Sequence, residues 1–468
     1  MPLITSSLTK DQQEKLCSLL GHVRLHLLYK ASVHGFTAAD FHSYCDKQGP
    51  TVIVAYNAGF VFGAYTSKDY IQCGQGINDE KAFLYSIRAR DEKPLRVAGI
   101  PGQCAFTDGA TGPDYGALVF LHDNKPEIQS NPGTGFNFEA AQMHGDNLAL
   151  TELEVYRAEG VGDLLDKPWR KIQWTAERRQ QLAKVIQNYK PDIRTVPHAR
   201  VLLVGPVGAG KSSFFNSINS AFRGNITSQA IAGTAGKSVT TQFRTYRVKA
   251  GKGGNALPLI LCDTMGLEEN TDAGVDMDDL INICKGHIKD RYQFSPSAPL
   301  LENGPGFNKD VTVNDKIHCV VYVVDTGKVS LLTQKMLDKF TAIRKKTNQL
   351  GIPQILLMTK VDEACPLVAK DLKNVYHSVY IQQKARELSE SLGIPLYCVL
   401  PVKNYSNELD LDQDTDILLF SAVEQMLNYA DNFLENQEFD DGSYRSLEPL
   451  RPTFQEDTKV SSRNLNSN

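Results

Sequence analysis

Residues 205–212 read Gly-Pro-Val-Gly-Ala-Gly-Lys-Ser, set between an apolar run at 201–204 and a stretch of helical spacing that begins near Ser213. No other feature limits the fold so strongly, because G-x-x-x-x-G-K-[ST] works only where a buried strand feeds a tight turn into a helix. Glycines let the backbone wrap close to phosphate oxygens, while successive N–H groups and the helix N-terminus supply partial positive charge and one lysine a full one. The pattern assigns Gly205, Val207, Gly208, Ala209, Gly210, Lys211, Ser212 and Ser213 to a nucleotide phosphate site, with the Ser212 hydroxyl as a magnesium ligand.

Two further motifs follow in chain order. Asp263 ends the apolar run 257–262 and opens Asp263-Thr264-Met265-Gly266, a D-x-x-G whose carboxylate would hold magnesium and whose Gly266 N–H would meet a terminal phosphate. Thr359-Lys360-Val361-Asp362 follows the run 354–358 and resembles N-K-x-D with threonine in the asparagine position. A carboxylate at Asp362 accepts from both the ring N–H and the exocyclic amine of guanine, and adenine offers no matching pair of donors. The Lys360 stem would cover the base plane. The cofactors expected are therefore GTP or GDP with Mg2+.

The remaining contacts are less sharply written. Thr240 is the favoured switch ligand for magnesium, with Thr234 and Thr241 as rivals, because 238–241 lies between the first helix and a strand that begins near Phe243. Asn404 is assigned to the base, although 401–405 departs from the usual S-A-K pattern. After the D-x-x-G stands Leu267, which cannot hydrogen-bond a water, so any hydrolysis should be slow. Glu268 and Glu269 are expected to face solvent, and a partner or a second G domain would supply the missing group in trans.

From 201 onward, apolar runs at 201–204, 257–261, 319–324, 355–358 and 396–400 alternate with helical segments. This predicts an α/β G domain with a central, mostly parallel sheet. The first third has another texture. Thr9 and Gln12 make a capping box ahead of Leu16, Leu19, Leu20 and Val23, and short apolar runs at 51–56, 60–65 and 117–121 are separated by glycine-rich turns. These predict an α+β domain with a mainly antiparallel sheet, closed by a half-buried strand at 151–156. The divisions expected are residues 1–160, a connector at 161–197 with a helix over 174–189, the G domain at 198–435, and a polar tail at 436–468 that is disordered beyond about Gly442. Arg178, Arg179 and Lys184 on the connector read as a solvated face, and 295–315 reads as a loop.

Composition narrows the setting. Fifty basic against fifty-four acidic residues among 468 leave a net charge of -4, without the single-sign field of a nucleic-acid binder. Nine cysteines without any C-x-x-C fit neither a disulfide framework nor a zinc site and suit the reducing cytoplasm. No basic leader precedes an apolar run, and no apolar stretch is long enough to span a bilayer, so no membrane insertion is expected.

Residues 27–36, Phe41, Cys45, Gly49-Pro50, 62–65, 82–86 and 152–156 resemble a TLDc domain. That family is known for stress-protection and vacuolar-ATPase-associated roles and has no agreed catalytic site, so no enzyme chemistry is assigned here. Together with 203–208, 211–217, 262–267 and 290–294, the chain resembles the interferon-induced protein 44 family, which joins a TLDc-like region to a G domain. The resemblance implies a cytoplasmic, interferon-inducible protein of innate antiviral defence. The function expected is a guanine-nucleotide-dependent switch with weak GTP hydrolysis that presents a surface to other proteins, including a second copy through its G domain. The alternative is a non-hydrolysing scaffold with a structurally bound nucleotide. A phosphotransferase is disfavoured because no acceptor lid or additional base stands out.

Overall fold

Helix α1 (Lys10–Leu20) starts where its capping residues predict. Thr9 Oγ1 accepts from the Gln12 N–H at 3.3 Å, and Gln12 Oε1 accepts from the Thr9 N–H at 2.9 Å. The computed structural model describes residues 4–440 except 88–92, 104, 110–111, 192, 194, 231–240, 252, 270–273, 296–299, 301, 303 and 305. Thr234, Thr240 and the tail from 441 lie outside the described residues.

The first domain is built on strands β1 (Val23–Lys30), β2 (Thr51–Tyr56), β3 (Val61–Thr66), β4 (Phe83–Ile87), β5 (Leu95–Ala98) and β6 (Glu152–Gly160). They lie in the order β1-β6-β2-β3-β4-β5, and every neighbouring pair is antiparallel. Five short strands between Gly76 and Ser130 make a second antiparallel sheet. Its Phe106 and Phe120 join Phe41 and Phe62 in one fully buried core.

Strand β6 corrects an expectation. Its alternating sequence predicts a half-buried strand, yet it lies inside the sheet between β1 and β2, with Leu153, Glu154, Val155 and Tyr156 all buried. Glu154 is tolerated there because both carboxylate oxygens are satisfied. Oε1 accepts from Lys30 Nζ at 2.9 Å and the Ser7 N–H at 2.8 Å, and Oε2 accepts from the hydroxyls of Tyr56 at 2.9 Å and Tyr156 at 2.6 Å. Burial alone would raise its pKa, but the bonds from Tyr156, Lys30, Ser7 and Tyr56 hold it below the ordinary value.

After β6 the chain runs along the second domain, where the Leu165 N–H donates to His377 O at 2.7 Å and the Trp169 N–H to Tyr376 O at 2.9 Å. Helix α2 (Ala176–Asn188) follows, and its arginines are not a solvated face. Arg179 Nε donates to Asp416 Oδ2 at 2.7 Å, and Arg178 pairs with Glu424 at 3.1 Å, both on the long last helix (Gln413–Asp440). The sequence shows two adjacent cations on a helix but not that acids distant in sequence are waiting for them.

The second domain is the α/β G domain with a mostly parallel sheet. Strands β7 (Ala199–Val204), β8 (Arg244–Lys249), β9 (Ala256–Asp263), β10 (Cys319–Asp325), β11 (Gln354–Thr359) and β12 (Val399–Pro401) lie in the order β8-β9-β7-β10-β11-β12. Only the edge pair β8-β9 is antiparallel. All seven residues of β10 are buried, as an unbroken apolar run covered on both faces requires. The strand predicted over 396–400 begins later, because Leu396–Cys398 forms a 3-10 turn in which the Cys398 N–H bonds to Pro395 O. Helices α3 (Lys211–Arg223), α4 (Gln334–Gln349), α5 (Val379–Leu392) and α6 (Gln413–Asp440) cover the sheet.

Replacing Glu154 with alanine removes the buried acceptor shared by Tyr56, Tyr156, Lys30 and the Ser7 N–H in the first domain. Loss of one partner from such a buried charged network costs about 3 to 5 kcal/mol. Urea denaturation of the full chain should show that loss in its first transition, and a midpoint equal to the parent's would contradict a structural role for the network.

Candidate nucleotide-binding site

Strand β7 delivers the chain into the glycine-rich turn, and α3 begins at Lys211. Gly210 is in the left-handed region, φ 93°, and a methyl group built on it would lie 3.0 Å from Asn404 Nδ2 and 3.4 Å from Thr359 Oγ1. Glycine is needed there for both conformation and space. Lys211 is only 7% exposed, and its Nζ donates to Gly205 O at 2.9 Å and Pro206 O at 3.1 Å, so the ammonium lies back along the turn. Burial lowers its pKa, and the nearby Asp263 charge opposes that shift.

Asp263 ends β9, fully enclosed. Its Oδ2 accepts from Ser212 Oγ at 2.6 Å, and its Oδ1 is buried without a hydrogen-bond partner. Burial raises its pKa, with Lys211 and the Ser212 hydrogen bond opposing. A buried carboxylate oxygen lacking a donor, beside a hydroxyl oxygen, is a donor set suited to a hard cation, and the residues present fit Mg2+. Among the described residues no three His, Cys, Asp or Glu side chains gather as a metal group. Magnesium does not need one, since it takes one or two carboxylates together with phosphate oxygens and water. Thr241 is exposed, and its carbonyl accepts from Gln293 Nε2 at 2.9 Å.

The D-x-x-G turn rests directly on the phosphate loop. A methyl group on Gly266 would come within 2.6 Å of Val207 Cγ2 and 2.9 Å of the Val207 backbone nitrogen, so a side chain would push the two turns apart. Next to it the Leu267 N–H donates to Gly205 O at 3.0 Å, and the leucine side chain is 4% exposed within the core. Glu269 is exposed, but its carboxylate does not simply face solvent, because Thr333 Oγ1 donates to it at 2.9 Å. Lys339 Nζ donates to the Glu268 carbonyl.

Thr359 ends β11, fully buried, and its hydroxyl donates to Ala209 O at 2.6 Å. The hydroxyl that stands where asparagine is usual thus ties the base loop to the phosphate loop. Lys360 adopts a left-handed conformation, φ 57°, and its Nζ lies 3.2 Å from Asp325 Oδ2. Asp362 has its pKa raised by burial, with the Lys403 charge opposing. Asn404 Nδ2 donates to Gly210 O at 3.2 Å, while its Oδ1 is buried without a partner. Gly210, Ser213, Lys360, Asp362, Asn404 and Tyr405 line one cavity of about 480 Å³. A larger cleft of about 750 Å³ runs beside the connector past Arg170, Tyr376 and Tyr397, and none of the motif residues line it.

Two contributors are invisible to motif reading. Asp325 fixes the Lys360 ammonium, and its signal is the one Asp263 also carries: an acid at the end of a buried strand. Asn216 on α3 accepts from the Gln229 and Ala230 N–H groups at 3.0 and 2.9 Å and so shapes the far wall of the cavity. Nothing in the sequence distinguishes it from a polar residue on an exposed helix face.

Residues 3–159 match the family model of the TLDc domain, and residues 200–360 match that of a 50S ribosome-binding GTPase. Interferon-induced protein 44-like of Homo sapiens is 36% identical over 442 residues, covering 92% of this chain and 96% of that protein. Interferon-induced protein 44 of Mus musculus is 34% identical over 441 residues, covering 92% and 97%. Among solved structures, Toc33 from Arabidopsis thaliana in complex with GDP and Mg2+ is similar at 14% identity and a TM-score of 0.32, covering 56% of this chain and 97% of that one. Identity at this level extends through the antiparallel first domain, the connector and the G domain together, and the chain belongs to the interferon-induced protein 44 family.

Proposed function

We propose that the protein binds GTP and GDP and serves innate antiviral defence as an interferon-induced, nucleotide-dependent interaction switch with weak GTP hydrolysis. The observation that supports this reading is the bond from Thr359 to Ala209, which ties the loop bearing Asp362 to the glycine-rich turn, with Gly210, Ser213 and Asp362 lining one cavity. In this reading Gly205 to Ser213 hold the phosphates, Lys211 supplies the full positive charge, and Asp362 accepts from guanine while the Lys360 stem covers its face. Asn404 closes the base side. Ser212 and Asp263 hold Mg2+, which when bound neutralises charge between the outer phosphates. The switch threonine is Thr240, with Thr234 and Thr241 as alternatives.

Slow hydrolysis follows from the placement of Leu267. Its side chain is in the core and its N–H is given to Gly205, so neither can orient a water. The same placement favours the second reading, a scaffold that holds nucleotide without hydrolysing it. The two separate on exchange, because a switch releases GDP and changes its contacts and a scaffold does neither. Partners in this proposal are other proteins, including a second copy meeting this one through the G domain. The eight described cysteines are all free, which supports a cytoplasmic setting, and no helix among the described residues is long and apolar enough to cross a membrane.

Lys211→Ala should weaken GTP binding roughly ten- to hundredfold in direct titration, from loss of charge-assisted hydrogen bonds to phosphate. Unchanged affinity would remove the phosphate assignment. Asp362→Asn should shift preference from GTP toward xanthosine triphosphate, whose carbonyl replaces the guanine amine, and competition assays in which ATP and GTP compete equally with the parent would refute the base assignment.

Single-turnover GTP hydrolysis should be slow and should rise with protein concentration if a second G domain completes the site. Leu267→Gln should not accelerate it, since the amide enters an apolar core. Fast turnover independent of concentration would mean that water is positioned elsewhere.

A further inference from the structure

Between the base loop and the first domain lies a single 3-10 turn, Thr326–Leu331, that directly follows Asp325. Its first residues hold the base loop. Asp325 takes the Lys360 ammonium at 3.2 Å, and Thr326 Oγ1 donates to Thr359 O at 2.7 Å. The next residue, Gly327, faces the first domain. A methyl group built on it would lie 1.9 Å from both terminal nitrogens of Arg24, so the guanidinium occupies the space a side chain would take. Arg24 Nη1 is buried there without a hydrogen-bond acceptor, so close packing on Gly327 is its contact with the turn, while its charge and a hydrogen bond act on Tyr380. The Arg24 charge also acts on Glu363, the neighbour of Asp362.

The far end of the same turn is held as well. Arg24 on β1 pairs in register with Glu159 on β6, and Glu159 reaches across the domain boundary. Its carboxylate accepts from Lys384 Nζ at 2.8 Å and Tyr380 OH at 2.9 Å, both on α5, and from His26 Nε2 at 2.9 Å. Lys384 is buried and donates in addition to Ser330 Oγ inside the turn. Thus Asp325 and Thr326 at the start of the turn hold the base loop, and the first domain meets the turn at Gly327 and, through Lys384, at Ser330.

We infer that Arg24 of the first domain is a positioning residue for guanine, acting through Gly327 on the loop that carries Lys360 and Asp362. The inference rests on the guanine-nucleotide reading above and gives the first domain a part in that site. Arg24 does not touch the cavity. It fixes the turn against which the base loop is set, so its removal loosens recognition of the base more than the hold on the phosphates. Docking of the first domain and tight guanine binding are then linked, each favouring the other by the same factor.

The test compares release of fluorescent GDP with release of fluorescent inosine diphosphate, which lacks the exocyclic amine that Asp362 would accept from, using the full chain. Arg24→Ala should speed GDP release about fivefold or more, the lower end of typical coupling between sites, and speed inosine diphosphate release less, so that the two rates converge. Gly327→Ala should do the same from the other side of the contact by pushing the guanidinium away. It also serves as an independent variant should Arg24→Ala not fold. Combined, the two changes should be no worse than Arg24→Ala alone, because the added methyl then has room. Unchanged release, or equal acceleration of both nucleotides, overturns the inference while leaving the nucleotide reading intact. A parent chain that holds GDP no better than inosine diphosphate overturns the base reading and this inference with it.

Discussion

The second domain is organised around one buried hydrogen bond, from the Thr359 hydroxyl to the Ala209 carbonyl. Backbone carbonyls in a tight turn have few ways to be satisfied, and an unsatisfied buried one costs about 1 to 3 kcal/mol. Here the donor comes from the end of a strand two places away in the sheet, so the turn after β7 and the loop after β11 are held in a fixed mutual position. Asn404 reaches Gly210 from a third loop, and Asp263 reaches Ser212 from a fourth. Each strand end is short of partners by itself, and a parallel sheet brings these ends to one edge where they satisfy one another.

The same dependence explains what could be read from the chain alone. The phosphate loop was legible because its glycines and lysine are demanded by backbone geometry and charge within a few residues. The loop at 359–362 could be set beside that turn by its order after the motif, even with threonine for asparagine, since either residue offers a donor. Where function depends on partners distant in sequence, the reading stopped. Asn216 looks like an ordinary polar position until the fold brings 228–230 to it, and Asp325, though it ends a buried strand, shows its partner only when Lys360 is brought to it. Strand β6 misled for a related reason: alternation reports polarity, and Glu154 is polar but buried, because two tyrosines, a lysine and a backbone N–H meet it from elsewhere. The connector arginines were misread likewise.

Burial pushes the pKa of Asp263, Asp362 and Glu154 upward alike, yet the net shifts differ in sign. At Asp263 and Asp362 burial outweighs the charges and donors around them, whereas at Glu154 four hydrogen bonds outweigh it.

The pairing of the connector helix α2 with α6 bears on how the protein is made. Arg179 and Asp416 are 237 residues apart, and Arg178 and Glu424 are 246 apart. At 5 to 20 residues per second, a ribosome takes roughly ten seconds to a minute to span that distance. During that interval Leu182 and Ile186, both fully buried in the finished core, have no partner helix to cover them. The first domain can close on itself as soon as β6 emerges, because its sheet contains no later strand. The connector helix therefore cannot complete its packing until the last helix, nearly the end of the chain, has left the ribosome.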